Sequence, residues 1–251
     1  MTAWLRKWWK ALLALPAAGL CLFLISDGAA AQQLTMDFGE GGSATGRILQ
    51  LLALLTVLSL APSILVMVTS FTRIVIVLSF VRSAMGLQQT PPNAVLISLA
   101  LFLTAFIMAP TLETAYGEGI APLIEEQITE EEAFERTVAP IHTFMMKHVR
   151  QDDLVLFMDI AKEEAVVRPE DTPLRVLVPA FMISELRRAF EIGFLIFIPF
   201  LIIDLVVASI LMSMGMLMLP PIMISLPFKV VFFVLVDGWH LVAGSIIQSF
   251  G

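Results

Sequence analysis

Four apolar runs punctuate the chain, at residues 48–68, 94–111, 192–211 and 222–247. The stretch 48–72 carries no charge, and its run 48–68 is long enough to cross about 30 Å of hydrocarbon at about 1.5 Å per residue. Each run predicts a membrane-spanning helix. Pro62, Pro110, Pro199 and Pro227 interrupt them, and each removes a backbone hydrogen bond, so kinked helices are expected. Residues 69–93 read as a loop between the first two spans, with Arg73, Arg82 and no acid, closing on Thr90-Pro91-Pro92.

The segment between the two span pairs has a different pattern. Residues 113–188 hold 16 acids and 8 bases, a net charge of −8. Thr129 to Glu132 fits a capping box opening a helix through about residue 138. Asp152-Asp153 precedes an amphipathic helix containing Leu156, Met158 and Ile160. Pro179 opens a further helix that runs straight into the third span, with Glu185 paired to Arg188 and Arg187 to Glu191 along its surface. No strand pattern competes. The fold class is therefore an all-α membrane protein: two kinked helical hairpins, at 48–112 and 189–251, flanking an acidic helical segment at 113–188.

Composition agrees. The chain is 58% hydrophobic and 15% charged with mean hydropathy +0.90, beyond the range of soluble domains. The excess of acids does not suggest a nucleic-acid binder. Arg6, Lys7 and Lys10 precede an apolar stretch at 11–25 and Ala29-Ala30-Ala31, the pattern of a cleavable signal peptide over 1–31. An uncleaved first helix is the alternative. Leu20 stands where a lipoprotein signal ending at Cys21 would have a small residue. Residues 32–47 form a Gly-rich polar lead-in. A cleaved signal and four crossings put both ends of the mature chain outside, the 69–93 loop inside as positive charge prefers, and the acidic segment in the periplasm.

Two sets of residues carry candidate function. Asp204 and Lys229 lie inside apolar runs, where a charge is costly and marks function or assembly. They sit nine and eight residues from the turn at Ser213 to Pro221, hence at matching depth in a hairpin. An ion pair fixing its register, within a subunit or between neighbours, is one reading, and a charge swap should then restore assembly. A snorkelling lysine and a water-facing aspartate are the other.

Met212, Met214, Met216 and Met218 alternate beside Gly215 and Pro220-Pro221, in a loop at 212–221. Flexible thioethers on one side of an extended loop suit a compressible seal; packing at a helix end is the plainer alternative. Asp237-Gly238-Trp239 either makes a polar helix contact or ends a span. Arg73, Arg82, Asp237 and Trp239 are taken as helix-packing or assembly residues. No hydrolase, zinc-protease or phosphate-loop motif occurs, His142, His148 and His240 have no metal spacing, and neither enzyme activity nor a cofactor is expected.

The segments SFTRIVIVLSFVRSAMGLQQTPPN, FEIGFLIFIPFLIIDLVVASILMSMGM and LPPIMISLPFKVVFFVLVDGWHLVAGSIIQSF resemble the FliP family of flagellar type III export-gate proteins and their injectisome relatives. The resemblance covers nearly the whole mature chain, and its ending is similar to the flagellar branch. It implies a pentameric inner-membrane ring joined by FliQ and FliR, with FlhA, FlhB and the assembly factor FliO as partners, within the flagellar basal body. It also implies passage of exported flagellar polypeptides through a central pore, a gasket at Met212 to Met218, and an assembled gate lifted largely out of the bilayer. The rival functions are a small-solute channel, an intramembrane enzyme and a non-conducting scaffold.

Overall fold

The computed structural model describes residues 44–163, 169–216 and 218–251. The signal peptide expected over 1–31 and most of the lead-in at 32–47 lie outside them. The chain divides into two units, Met1–Thr56 and Val57–Gly251. Among the described residues every regular element is helical, in keeping with the all-α expectation.

Helix α1 (Ala44–Val68) runs through Pro62 and leaves every side chain from 48 to 65 exposed. A helix apolar all round belongs against lipid or another protein. The hydroxyls of Thr69 and Thr72 donate to the carbonyls of Leu65 and Val66, at 2.8 and 3.0 Å, and tie off its last turn.

Residues 71–84, expected as loop, form helix α2 (Phe71–Ala84), which lies at the centre of the fold. Ile74, Val77, Leu78 and Val81 recur at three- and four-residue steps and are at most 1% exposed. That stripe packs against Leu96 and Ala100 of α3 (Asn93–Ala115) and Ala189 and Phe200 of α7 (Leu174–Ser213). The two arginines hid this core helix, because a charged position reads as solvent when its partner is far away in sequence.

A turn of π-helix (Tyr116–Ile120) and the short α4 (Ala121–Ile124) extend α3. Helix α5 (Glu130–His148) begins as expected, with Thr129 Oγ1 accepting from the Glu132 N–H at 3.3 Å, but continues through Pro140, ten residues past the expected end. Helix α6 (Gln151–Ala161) follows. Helix α7 is continuous for 40 residues and starts after Pro173, so Pro179 and Pro199 both lie inside it. Met145, Leu177 and Phe181 form a second core where α5 meets α7.

The last apolar run is two helices, α8 (Pro221–Leu235) and α9 (Gly238–Gln248), bent by 65°. Asp237 at the corner has φ 51°, and a side chain on Gly238 would strike the Phe233 ring at 2.3 Å. The corner therefore needs glycine, and the bend returns Val242, Ile246 and Phe250 to the α2 core. Among the described residues, three helices are long and apolar enough to cross a membrane, or four if the bent pair is one span.

Candidate functional site

Each end of α2 is held by a buried cation. At its first turn, Arg73 is 2% exposed and Glu185 of α7 is fully buried. The Arg73 guanidinium forks onto the carboxylate: Nε donates to Oε2 at 2.8 Å and Nη2 to Oε1. Nη1 donates to the backbone carbonyl and the hydroxyl of Ser249, both at 2.9 Å. The face of the guanidinium lies 3.7 Å from the centre of the Phe250 ring. One side chain thus joins α2, α7 and the residues after α9, with every edge and one face engaged. Bidentate pairing and stacking suit arginine and not lysine.

Glu185 was expected to pair with Arg188 along its own helix. It turns inward instead, because it lies on the buried stripe of Leu177, Phe181, Ser184 and Ala189. That spacing was the missed signal. The outward pairing of Arg187 with Glu191 is present at 3.2 Å.

At the other end of α2, Lys229 Nζ donates to Asp204 Oδ2 at 2.6 Å and to the Ala84 carbonyl at 3.2 Å. Ser225 donates to Asp204 Oδ1 at 2.6 Å. The structure brings Asp204 and Lys229 together within one chain, linking α7 to α8 and both to the C-terminal end of α2. The lysine side chain is 5% exposed and the aspartate 30%. Ser225 and the Ala84 carbonyl were not foreseen; hydroxyls one helical turn from Lys229 were visible, but the carbonyl of a distant helix was not.

Arg82 donates to Asn93 Oδ1 at 2.6 Å and to the Pro91 carbonyl at 3.2 Å, fastening the α2–α3 connection. Asp237 is exposed at the α8–α9 corner and makes no side-chain hydrogen bond among the described residues. Trp239 sets its ring edge-on to Phe233 at 5.3 Å.

The α7–α8 turn carries the methionines, and it is not an extended segment. Met212 is in the last turn of α7, and Met214 caps it. Gly215, at φ 74°, donates to the Met212 carbonyl at 3.1 Å, and Met216 to the Leu211 carbonyl at 3.0 Å. This is a Schellman closure, which demands a left-handed residue at Gly215. The four thioethers are exposed by 57, 66, 41 and 98% in chain order. They crown the hairpin that the Asp204–Lys229 pair clamps from below.

On the opposite side, His148 ends α5 between the rings of Phe144 and Phe250, at 4.7 and 5.2 Å. Burial, and then the charges of Arg73, Lys147 and Arg188, lower its pKa to about 4. No group of three or more His, Cys, Asp or Glu side chains among the described residues could hold a metal.

The FliP family profile matches residues 54–246. The chain is 58% identical over 240 residues to a flagellar biosynthetic protein FliP of Caulobacter vibrioides, covering 96% of this chain and 90% of the relative. It is 61% identical over 201 residues to that of Bacillus subtilis, covering 80% and 91%. Against that of Aquifex aeolicus the identity is 50% over 236 residues, covering 92% and 98%. With the match running through α2, both ion pairs and the methionine turn, this chain belongs to the FliP family.

Proposed function

We propose that the chain is a pore-forming core subunit of the flagellar type III protein export gate, needed for secretion of flagellar subunits and assembly of the flagellum. It sits in the bacterial inner membrane as a homo-oligomeric ring, with a pentamer the expected form, together with FliQ and FliR. FlhA, FlhB and FliO serve the same apparatus, and the acidic segment faces the periplasm. It performs no bond chemistry. The relatives' name as flagellar biosynthetic proteins supports this reading.

The observation that carries it is the uncovered methionine turn on a rigid base. Apolar thioethers exposed in water are unfavourable, and four at one tip call for company from other chains. The ion pair below keeps the hairpin stiff, while the unbranched side chains at its tip stay deformable. Copies arranged around an axis would close such tips into a plug that yields to a passing polypeptide. The exposed apolar faces of α1, α3 and α7 offer the surfaces for neighbouring chains and lipid.

A small-solute transporter would need several free polar groups at mid-depth, whereas Asp204 and Lys229 satisfy each other and, among the described residues, Asp237 stands alone at the α8–α9 corner. The test replaces Met212, Met214, Met216 and Met218 together by Ala. The complex with FliQ and FliR should still purify, and ion flux across membranes holding it should rise. Unchanged flux in an assembled variant refutes the seal.

A further inference from the structure

Two cavities meet at His148. One, of about 370 Å³, is lined by Lys147, Arg150, Arg188, Asp152 and the buried Arg73–Ser249 contact. Lys147 is the cation there without a carboxylate partner among the described residues, since Arg73 is matched by Glu185, Arg150 by Asp152 and Arg188 by Glu191 at 4.0 Å. Arg150 Nη2 reaches Asp152 at 3.2 Å, but its Nη1 is buried and meets no acceptor among the described residues. Burying such a donor unpaired is unfavourable. The charges that help keep His148 neutral leave the pocket short of negative charge.

The other cavity, of about 520 Å³, shares Lys147 and His148 and is mainly apolar, with Ile107, Pro110, Phe144 and Phe250 in its walls. Ile107, Pro110 and Thr114 belong to the candidate span Asn93–Ile124. The groove thus leads from a membrane-grade helix toward the cationic pocket. A free phosphate would fill only the second of these. A carboxylate from another copy would leave the apolar groove empty. An amphiphile fits both.

We propose that these joined cavities bind one anionic phospholipid, its phosphate between Lys147, Arg150 and Arg188 and an acyl chain along Ile107, Phe144 and Phe250. Lys147 is the central ligand because it lines both cavities and has no carboxylate partner among the described residues.

The full-length protein, purified in neutral detergent, is exposed to phosphatidylglycerol or phosphatidylcholine, and retained lipid is read by native mass spectrometry. Phosphatidylglycerol should be retained about 10-fold more than phosphatidylcholine, whose otherwise equivalent phosphate is neutralised by its own ammonium, a difference of about one charge-assisted contact. Lys147→Gln and Arg188→Gln, both at exposed positions, should each remove most of that preference. Thr114→Trp should lower retention of both lipids by narrowing the groove, with circular dichroism unchanged. Inorganic phosphate should fail to displace the lipid. Equal retention of the two lipids, or retention unaltered by the glutamine variants, overturns the proposal. Complete displacement by inorganic phosphate overturns it in favour of a free-anion site. Loss of oligomers in the glutamine variants with lipid retention intact overturns it in favour of a carboxylate from a second copy.

Discussion

The two ion pairs at the ends of α2 use the same chemistry in different surroundings. Arg73 and Glu185 are both sealed, while in the other pair only Lys229 is, and Asp204 reaches the surface. Desolvation is costly for an ion, and attraction offsets it only while the partner remains. The first pair is therefore symmetric: loss of either member strands a sealed charge. The second is asymmetric: loss of the aspartate strands a sealed ammonium, whereas loss of the lysine leaves a carboxylate with an outlet and Ser225 for company. The deeper pair joins α2, α7 and the residues after α9, and the shallower one braces the hairpin that carries the methionine turn.

The sharpest way to break the comparison is at Arg73. Arg73→Met leaves Glu185 buried alone and should destabilise the purified protein by about 3–5 kcal/mol, read as a drop in denaturation midpoint. Glu185→Leu should do the same, and the double variant should recover most of the loss, since apolar groups of similar volume replace such pairs well. A double variant no better than the singles would show that the Ser249 and Phe250 contacts, not the carboxylate, hold Arg73.

Smaller and unequal effects are expected at the other pair. Asp204→Asn should cost more than Lys229→Met, the latter about 1–2 kcal/mol because the remaining carboxylate can be solvated. Equal losses would contradict the asymmetry. The charge swap Asp204→Lys with Lys229→Asp should restore little, contrary to the simple expectation from the sequence. An aspartate at 229 would face the Ala84 carbonyl, acceptor against acceptor.

A further effect is set by pH beside the deeper pair. His148 has a pKa of about 4 when folded against 6.5 ordinarily, so below pH 6.5 the unfolded chain takes up a proton that the folded one refuses. Stability should be highest above 6.5 and fall as the pH drops toward 4. The groups facing the ring are Arg73, Lys147 and Arg188, with Arg150 and Asp152 in the same pocket. His148→Phe keeps the ring contacts and should flatten that part of the profile in melting curves run from pH 7 to 4. An unchanged slope would place the titration elsewhere.

Much of the local architecture was legible. Charge-free runs, the Thr129 cap and the Gly215-Pro220-Pro221 punctuation mark helices and ends through rules that act within a few residues. Asp204 and Lys229 were legible as a pair because a short hairpin converts sequence distance into depth. Arg73 and Glu185 were not, being 112 residues apart with no turn to measure from. Their partnership exists only because α2 and α7 pack side by side.

By itself the sequence determined the helical, membrane-grade character of this protein, the family it belongs to and the place of its methionine turn, since composition, periodicity and backbone restriction are properties of neighbouring residues. Tertiary structure alone decided that α2 is core and that the last apolar run folds back at Gly238 onto Arg73. Those outcomes depend on which buried donor finds which distant acceptor, and that choice is made in space.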